Sequence, residues 1–418
     1  MKRRGFLKAT TTGTVAALCG VSHAEGHNPV ASLPERQGAP LPELGSHWDL
    51  LEKLAAQSAH PKMSFLEPQY ADLDEWIEQA RAYVFSCIHY APPKCDPQPE
   101  VVEKIDRGGH IRERVLINTT PDIRIPVYVL VPKGLTKPAP ALVALHDHGG
   151  FYYWGKEKLV EAEPEHPALR RHKTTCYGGL SIADELARRG YVVVVSDMLH
   201  FGERGLYLDA DPDRIKGRTI DVTDRDVQEF NARAWAHEEL LERGLLACGA
   251  TWSGVNIMDD QRVTDYLLTR PEVNPARVGC LGLSLGSVRA IFLGALHEGV
   301  RASVAVCWMA EYNQMIRDHL YNSIGYTKLV PGLYTQLGWQ DLAALHLPGH
   351  LMTINGLKDQ LYPLKAAQDA VEKIQRMYAK AGLPDHYQGV FFDAPHEFNL
   401  EMQAAAFDWL DKQLLEHD

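Results

Sequence analysis

Arg277-Val278-Gly279-Cys280-Leu281-Gly282-Leu283-Ser284-Leu285-Gly286-Ser287-Val288-Arg289 is the stretch that decides the fold. Residues 278–283 form a short apolar run of the kind that fills a fully buried strand. Residues 282–286 fit G-x-S-x-G, and the run over 287–297 predicts a helix directly after it. A serine so placed sits on a sharp strand-to-helix turn, with strained backbone and its hydroxyl above the sheet. Glycines flank it because neighbouring backbone comes too close for a side chain. The pentapeptide alone also joins strands to helices with no chemistry attached. The strand before it and the helix after it are what give it weight.

The segments on either side repeat that alternation. Runs at 110–118 and 124–131, rich in β-branched residues and separated by Thr119-Thr120-Pro121-Asp122, read as a hairpin. Apolar strands follow at 141–146, 191–196 and, beyond the quoted stretch, 301–308, 350–354 and 387–393. Helical runs at 180–189, 255–270, 364–381 and 400–415 lie between or after them. A hairpin followed by alternating strand and helix predicts an α/β fold with a mostly parallel sheet of about eight strands flanked by helices. Residues 46–58 and 71–88 carry helical spacing and predict an N-terminal helical extension. Two connections, 149–179 and 200–254, are longer than ordinary links; the second reads as a polar, lid-like insertion.

The first 24 residues read as a targeting segment. Met1-Lys2-Arg3-Arg4-Gly5-Phe6-Leu7-Lys8 is a basic start with paired arginines, 9–21 is mildly apolar, and Ser22-His23-Ala24 offers a cleavage site. This is the pattern of a twin-arginine export signal. The domain plan is therefore a signal over 1–24, a leader and helical extension over 25–100, and the catalytic domain over 101–418. The expected location is periplasmic or secreted, reached through the twin-arginine export machinery. No other run is long and apolar enough to span a bilayer, so no membrane is expected in the mature form. With 45% hydrophobic and 23% charged residues the chain reads as an ordinary globular protein. Its formal charge of −11 becomes four units more negative without Lys2, Arg3, Arg4 and Lys8, which argues against a nucleic-acid partner. Cys87 and Cys95 flank a short loop and are a candidate pair after export; Cys280 and Cys307 read as core thiols.

A serine hydroxyl needs a base within hydrogen-bond reach, and the base needs an orienting acid. In open α/β sheets such groups sit at the carboxyl ends of strands. His396 follows the strand at 387–393 and is the expected base. Asp359 follows the strand at 350–354 and is the expected acid, with an Asx turn as its plainer role. Glu311, after the strand at 301–308, is the alternative acid, and Asp393 comes third. The turn Asp147-His148-Gly149-Gly150-Phe151 follows the strand at 141–146. We assign the amides of Gly150 and Leu285 to an oxyanion hole, with Gly149 or Phe151 in place of Gly150 as alternatives. His146 and His148 lack further ligands at sensible spacing, so neither a metal nor a cofactor is implied. Phe151, Trp154 and Trp252 are candidate substrate contacts, and so are Trp235 and His237. Each also reads as packing within its insertion. Glu203 and Arg204 read as an ion pair bracing the site, Asp259 and Asp260 as charge near a helix N-terminus.

The strand series, His148-Gly149-Gly150, the 282–286 turn, Asp359 and His396 resemble the α/β-hydrolase superfamily. The order Ser284, Asp359, His396 is that superfamily's order of nucleophile, acid and base. Asp259-Asp260-Gln261-Arg262, Tyr266-Leu267, Arg270-Pro271-Glu272-Val273, Arg277-Val278-Gly279 and Phe201-Gly202-Glu203-Arg204 are similar to acetyl xylan esterase-like and dienelactone hydrolase-like members. The resemblance spans roughly residues 100–415. It implies a serine hydrolase cleaving carboxylic esters, with a small acyl group on a carbohydrate as the substrate class. Two departures matter: dienelactone hydrolases use cysteine where Ser284 stands, and glucuronoyl esterases carry arginine where Leu285 stands. A peptidase of the same fold, or an inactive binding protein on a hydrolase scaffold, are the alternative readings. No propeller-like domain precedes the hydrolase segment, which weakens the first. The second is weakened by competent residues at every catalytic position.

Overall fold

The computed structural model describes residues 47–316 and 319–415. The segment read as an export signal, the leader up to residue 46 and His417 lie outside the described residues. Among the described residues, nine strands form one sheet: β1 (Glu100–Asp106), β2 (His110–Thr120), β3 (Ile123–Pro132), β4 (Ala139–Leu145), β5 (Val192–Ser196), β6 (Val273–Leu283), β7 (Val300–Val306), β8 (His350–Gly356) and β9 (Tyr387–Phe392). Their spatial order is β1-β2-β3-β5-β4-β6-β7-β8-β9. β1, β2 and β3 pair antiparallel, and β3 lies antiparallel to β5. All later pairings are parallel. The chain leaves β4 for β5 on one side and returns past β4 to build β6 on the other. That reversal opens a crevice at the carboxyl ends of β4 and β6.

The helices are α1 (His47–Ser58), α2 (Leu73–Cys87), α3 (Pro167–Tyr177), α4 (Ile182–Arg188), α5 (Asp213–Lys216), α6 (Asp224–Ala247), α7 (Trp252–Leu268), α8 (Leu285–Leu296), α9 (Leu320–Ser323), α10 (Trp339–Ala344), α11 (Leu364–Lys380) and α12 (Leu400–Leu414). Both faces of the sheet are covered, which is why β4 and β5 are apolar at every position but the last of β5. Leu142, Ala144, Val193 and Val195 pack under α4 and α12. Their neighbours Ala141, Val143, Val192 and Val194 pack under α7 and α8. Alternate residues thus serve opposite layers, as the two-residue period of a strand requires. Among the described residues, no helix is long and apolar enough to cross a membrane.

The structure departs from the sequence reading at several points. The sheet has nine strands because β1 joins it as an edge; its residues are nearly all exposed, so no apolar alternation announced it. The insertion after β5 carries a long helix that the sequence reading did not mark. This is α6, 24 residues long and opened by a capping box at Thr223. The buried stripe of α6 is Val227, Phe230, Ala234, Glu238 and Glu242, and its two glutamates hide the helical period. α7 begins at Trp252, so Asp259 and Asp260 lie mid-helix rather than at its N-terminus. Cys87, buried, and Cys95, half-buried, are separate free thiols. The N-terminal extension docks through Ser64, whose Oγ donates to the buried Asp341 Oδ1 at 2.7 Å, and through Trp76, which is fully buried.

Candidate active site

Ser284 stands between β6 and α8 with φ 56° and ψ −112°, in the left-handed half of backbone space that a serine rarely occupies. Its amide donates to Val306 O on β7 at 2.8 Å, which pins the turn to the sheet. The glycines around it have a steric cause. A Cβ on Gly282 would lie 2.3 Å from the Gly286 carbonyl carbon, and one on Gly286 would lie 2.0 Å from Leu145 O at the end of β4. Ser287 and Val288 amides bond back to Ser284 O at 3.0 and 3.2 Å. The Leu285 amide falls before them, among the first-turn N–H groups that have no intrahelical acceptor.

The loops after β8 and β9 bring Asp359 and His396 together. Lys358 N donates to Ala394 O at 3.0 Å, and a Cβ on Gly356 would meet Ala394 O at 2.4 Å, so the two loops lie backbone to backbone. His396 Nδ1 donates to Asp359 Oδ2 at 2.7 Å, with side-chain exposures of 9% and 4%. Asp359 Oδ1 accepts from Leu361 N at 2.9 Å. One oxygen of this aspartate thus meets the imidazole, and the other closes an Asx turn. With Nδ1 occupied, Nε2 is the nitrogen left to act as a base. The other two acids are elsewhere: Glu311 pairs with Lys373 at 3.7 Å in a separate surface cleft, and Asp393 pairs with Lys358 in solvent at 2.8 Å.

The turn after β4 changes one assignment. Gly150 N donates to His148 Nδ1 at 3.0 Å, and Phe151 N donates to His148 O at 3.1 Å. Of these three amides, that of Gly149 has no protein acceptor among the described residues, and Gly149 lines the cavity while Gly150 does not. The Gly150 amide, assigned from sequence as a donor, is thus taken by His148, and among the three the Gly149 amide is the one left unoccupied beside the cavity. The turn is held from behind by Lys158, fully buried, whose ammonium donates to Asp147 O at 2.7 Å and His148 O at 3.0 Å. Burial opposes charge on Asp147, but Lys158, His172 and Tyr177 outweigh it and hold its pKa well below the usual carboxylate range.

Ser284, His396, Gly149, His148, Trp235, Glu238 and Lys328 line one cavity. Glu238 and Trp235 reach it from α6. Glu238 Oε1 accepts from His148 Nε2 at 2.9 Å and from Tyr152 OH at 2.8 Å. The aromatic candidates sort by this criterion. Trp235 meets the His148 ring edge-on at 5.8 Å and belongs to the wall. Phe151 instead stacks on His172 at 4.6 Å. Trp154 is buried against Tyr153 and His166, and Trp252 is buried against His200. His237 Nδ1 donates to Arg233 O at 2.8 Å. None of these four is part of the cavity lining, because each is needed to pack its own segment.

Glu203 and Arg204 do not pair with each other. Glu203 accepts from Lys156 at 2.5 Å, and Arg204 meets Asp259 at 2.7 Å. Asp260 pairs with Arg289 of α8 at 2.6 Å, both buried. These pairs tie the insertion and α7 to the helix that follows the serine. Two groups of close donor atoms are filled by lysine: the Lys156 ammonium sits among Glu157, Asp197 and Glu203, and Lys158 faces Asp147 beside His172 and Cys176. A third, Cys307 with Asp359 and His396, is the acid–base pair itself with a thiol against it. Burial, then Asp359, pushes the Cys307 pKa well above the ordinary thiol range.

The model of the Abhydrolase family matches residues 48–403. YtaP of Bacillus subtilis (strain 168), named as a hydrolase, is 25% identical over 336 residues, covering 80% of this chain and 99% of its own. A Bacteroides fragilis NCTC 9343 structure described as an acetyl xylan esterase superposes with TM-score 0.59 at 18% identity, over 86% of this chain and 84% of that one. A glucuronoyl esterase from Solibacter usitatus gives TM-score 0.56 at 15% identity, over 82% and 94%. At these identities the structural likenesses establish the α/β-hydrolase fold.

Proposed function

The chain belongs to the Abhydrolase family, and from that premise we propose that it hydrolyses carboxylic esters through a Ser284–His396–Asp359 triad and an acyl-enzyme. Ser284 Oγ attacks the ester carbonyl carbon while His396 Nε2 takes its proton. The amides of Gly149 and Leu285 hold the oxyanion of the tetrahedral intermediate. Its collapse expels the alcohol, which leaves with the proton from His396. Water, activated by the same imidazole, then attacks the acyl carbon and frees Ser284. Asp359 keeps the imidazole in the tautomer that presents Nε2 and stabilises the imidazolium as it forms. The observation that carries this reading is the 2.7 Å bond from His396 Nδ1 to Asp359 Oδ2, beside a serine at φ 56° on the same cavity.

The substrate proposed is a small acyl group on a carbohydrate alcohol. Its support is that similar structures carry the descriptions acetyl xylan esterase and glucuronoyl esterase. Residues 1–24 direct export by the twin-arginine route, 25–100 form a leader and extension, 101–418 the catalytic domain, and 200–254 a lid whose α6 carries Trp235 and Glu238 to the cavity. Hydrolysis of 4-nitrophenyl acetate by the wild type and not by Ser284→Ala tests the chemistry. Acetylated xylan against peptide amides separates an esterase from a peptidase. Retention of Arg3→Lys/Arg4→Lys in the cytoplasmic fraction tests the export route.

A further inference from the structure

The cavity wall includes a lysine that the hydrolytic steps leave without a role. Lys328 is 8% exposed and follows α9 in the segment between β7 and β8. Its ammonium donates to Ser323 O at 2.5 Å and to Tyr362 OH at 2.8 Å, both uncharged acceptors. An ammonium has three N–H donors, so one remains. Among the described residues, no carboxylate lies within ion-pair distance of it. The acids that face it, Asp359 and Glu238, are turned to other partners: Asp359 to His396 and Leu361, Glu238 to His148 and Tyr152. The Tyr362 ring lies over the His396 ring at 6.0 Å, so Lys328 is one side chain away from the base.

A buried cation with neutral acceptors only is costly, and proteins pair such groups or use them. The buried lysines elsewhere show the contrast: Lys156 has Asp197 and Glu203 as direct partners, and Lys173 has Glu165. A hydroxyl from substrate would fill the third donor direction but add no direct ion pair to the distant charges of Asp359 and Glu238. A carboxylate would supply both the acceptor and a directly paired anion. Glu238 repels a second anion on its own side of the cavity and so directs it toward Lys328. We propose that Lys328 binds a carboxylate carried by the substrate, so that the preferred esters are acid-bearing: monoesters of a dicarboxylic acid, or acylated hydroxy acids. This rests on the ester-hydrolase reading above and adds to it a charge on the substrate, carried by either the acyl group or the alcohol.

The test uses the full chain and two matched pairs of esters. 4-Nitrophenyl hydrogen glutarate against its methyl ester places the carboxylate on the acyl side. 4-Acetoxybenzoate against its methyl ester places it on the alcohol side. The wild type is expected to favour the acid member of one pair about tenfold or more in kcat/KM, on the scale of one charge-assisted hydrogen bond. The pair that responds identifies the side. In Lys328→Gln, which keeps donors for Ser323 O and Tyr362 OH, the ratio is expected to fall toward one; in Lys328→Arg it is expected to persist. No acid preference in either pair, or one that survives in Lys328→Gln, overturns the proposal. If the wild type cleaves none of the four esters, the hydrolase reading fails. Calorimetry with glutarate and with 4-hydroxybenzoate then decides this site: binding by wild type and not by Lys328→Gln supports it, and no difference overturns it.

Discussion

Asp359 and His396 come from loops that are joined through their backbones before their side chains meet, and the meeting is a 2.7 Å hydrogen bond between Oδ2 and Nδ1. The other oxygen of Asp359 closes its own turn on Leu361 N. In the proposed mechanism, catalysis and local folding therefore separate on one carboxylate. Asp359→Asn can still accept from Leu361 N but offers His396 an N–H instead of a lone pair, favouring the wrong tautomer. We expect kcat to fall roughly 10³–10⁴-fold with the denaturation midpoint nearly unchanged. Asp359→Ala is expected to lose both. Turnover of 4-nitrophenyl acetate and urea titrations of the two variants check this.

Gly286 is fixed by contact with β4. A Cβ there would lie 2.0 Å from Leu145 O, a backbone atom that moves only with the strand. Gly286→Ala should cost about 3 kcal/mol and displace Ser284. Gly150→Ala meets no atom within 4 Å, and its cost comes from φ 63° alone. It should cost about 1 kcal/mol. Chemical denaturation of the two variants gives the comparison.

Lys158 binds the carbonyl of His148, which belongs to the same peptide unit as the Gly149 amide. A cation on that oxygen orients the unit and polarises its N–H toward an oxyanion. Lys158→Met should lower kcat by about ten- to a hundredfold, the worth of one hydrogen bond to a charged group, with KM little changed. A rise in KM at constant kcat would assign Lys158 to ground-state binding instead.

Burial, opposed by Asp359 and Glu238, lowers the Lys328 pKa to about 8. The groups that face it are those two carboxylates, Tyr362 and His396. Below that pH Lys328 carries its charge, and above it the charge is lost. Preference for an acid ester over its methyl ester should therefore fade as pH rises through about 8, while Lys328→Gln gives a flat ratio. For stability the sign is opposite. The unfolded chain keeps this proton up to the ordinary lysine range, so it binds more protons in that window. Lys328 then contributes stability that rises with pH. The ratio measured from pH 7 to 9.5 checks the functional half.

Much of this site is local in the chain and was readable there. The elbow announces itself because strand, G-x-S-x-G and helix are contiguous, and His396 and Asp359 because each directly follows an apolar strand. What could not be read is what depends on meetings between distant segments. Gly150 and Gly149 are adjacent and alike in sequence; only the position of the His148 ring tells their amides apart. Glu203 and Arg204 are neighbours, yet a 3-10 turn sends one to Lys156 and the other to Asp259. Glu238 and Glu242 masked the buried face of α6, because helical periodicity is sought in apolar residues. Lys328 lies in a segment with no strand or long helix to mark it, and its importance comes from what surrounds it.

The most direct measurement is intact mass spectrometry after treatment with a fluorophosphonate, with the adduct mapped by peptide fragmentation. One adduct per chain is expected, on Ser284, with none on Ser284→Ala and slow labelling of His396→Ala. An unlabelled wild type, or equal labelling of Ser284→Ala, would contradict the proposed triad.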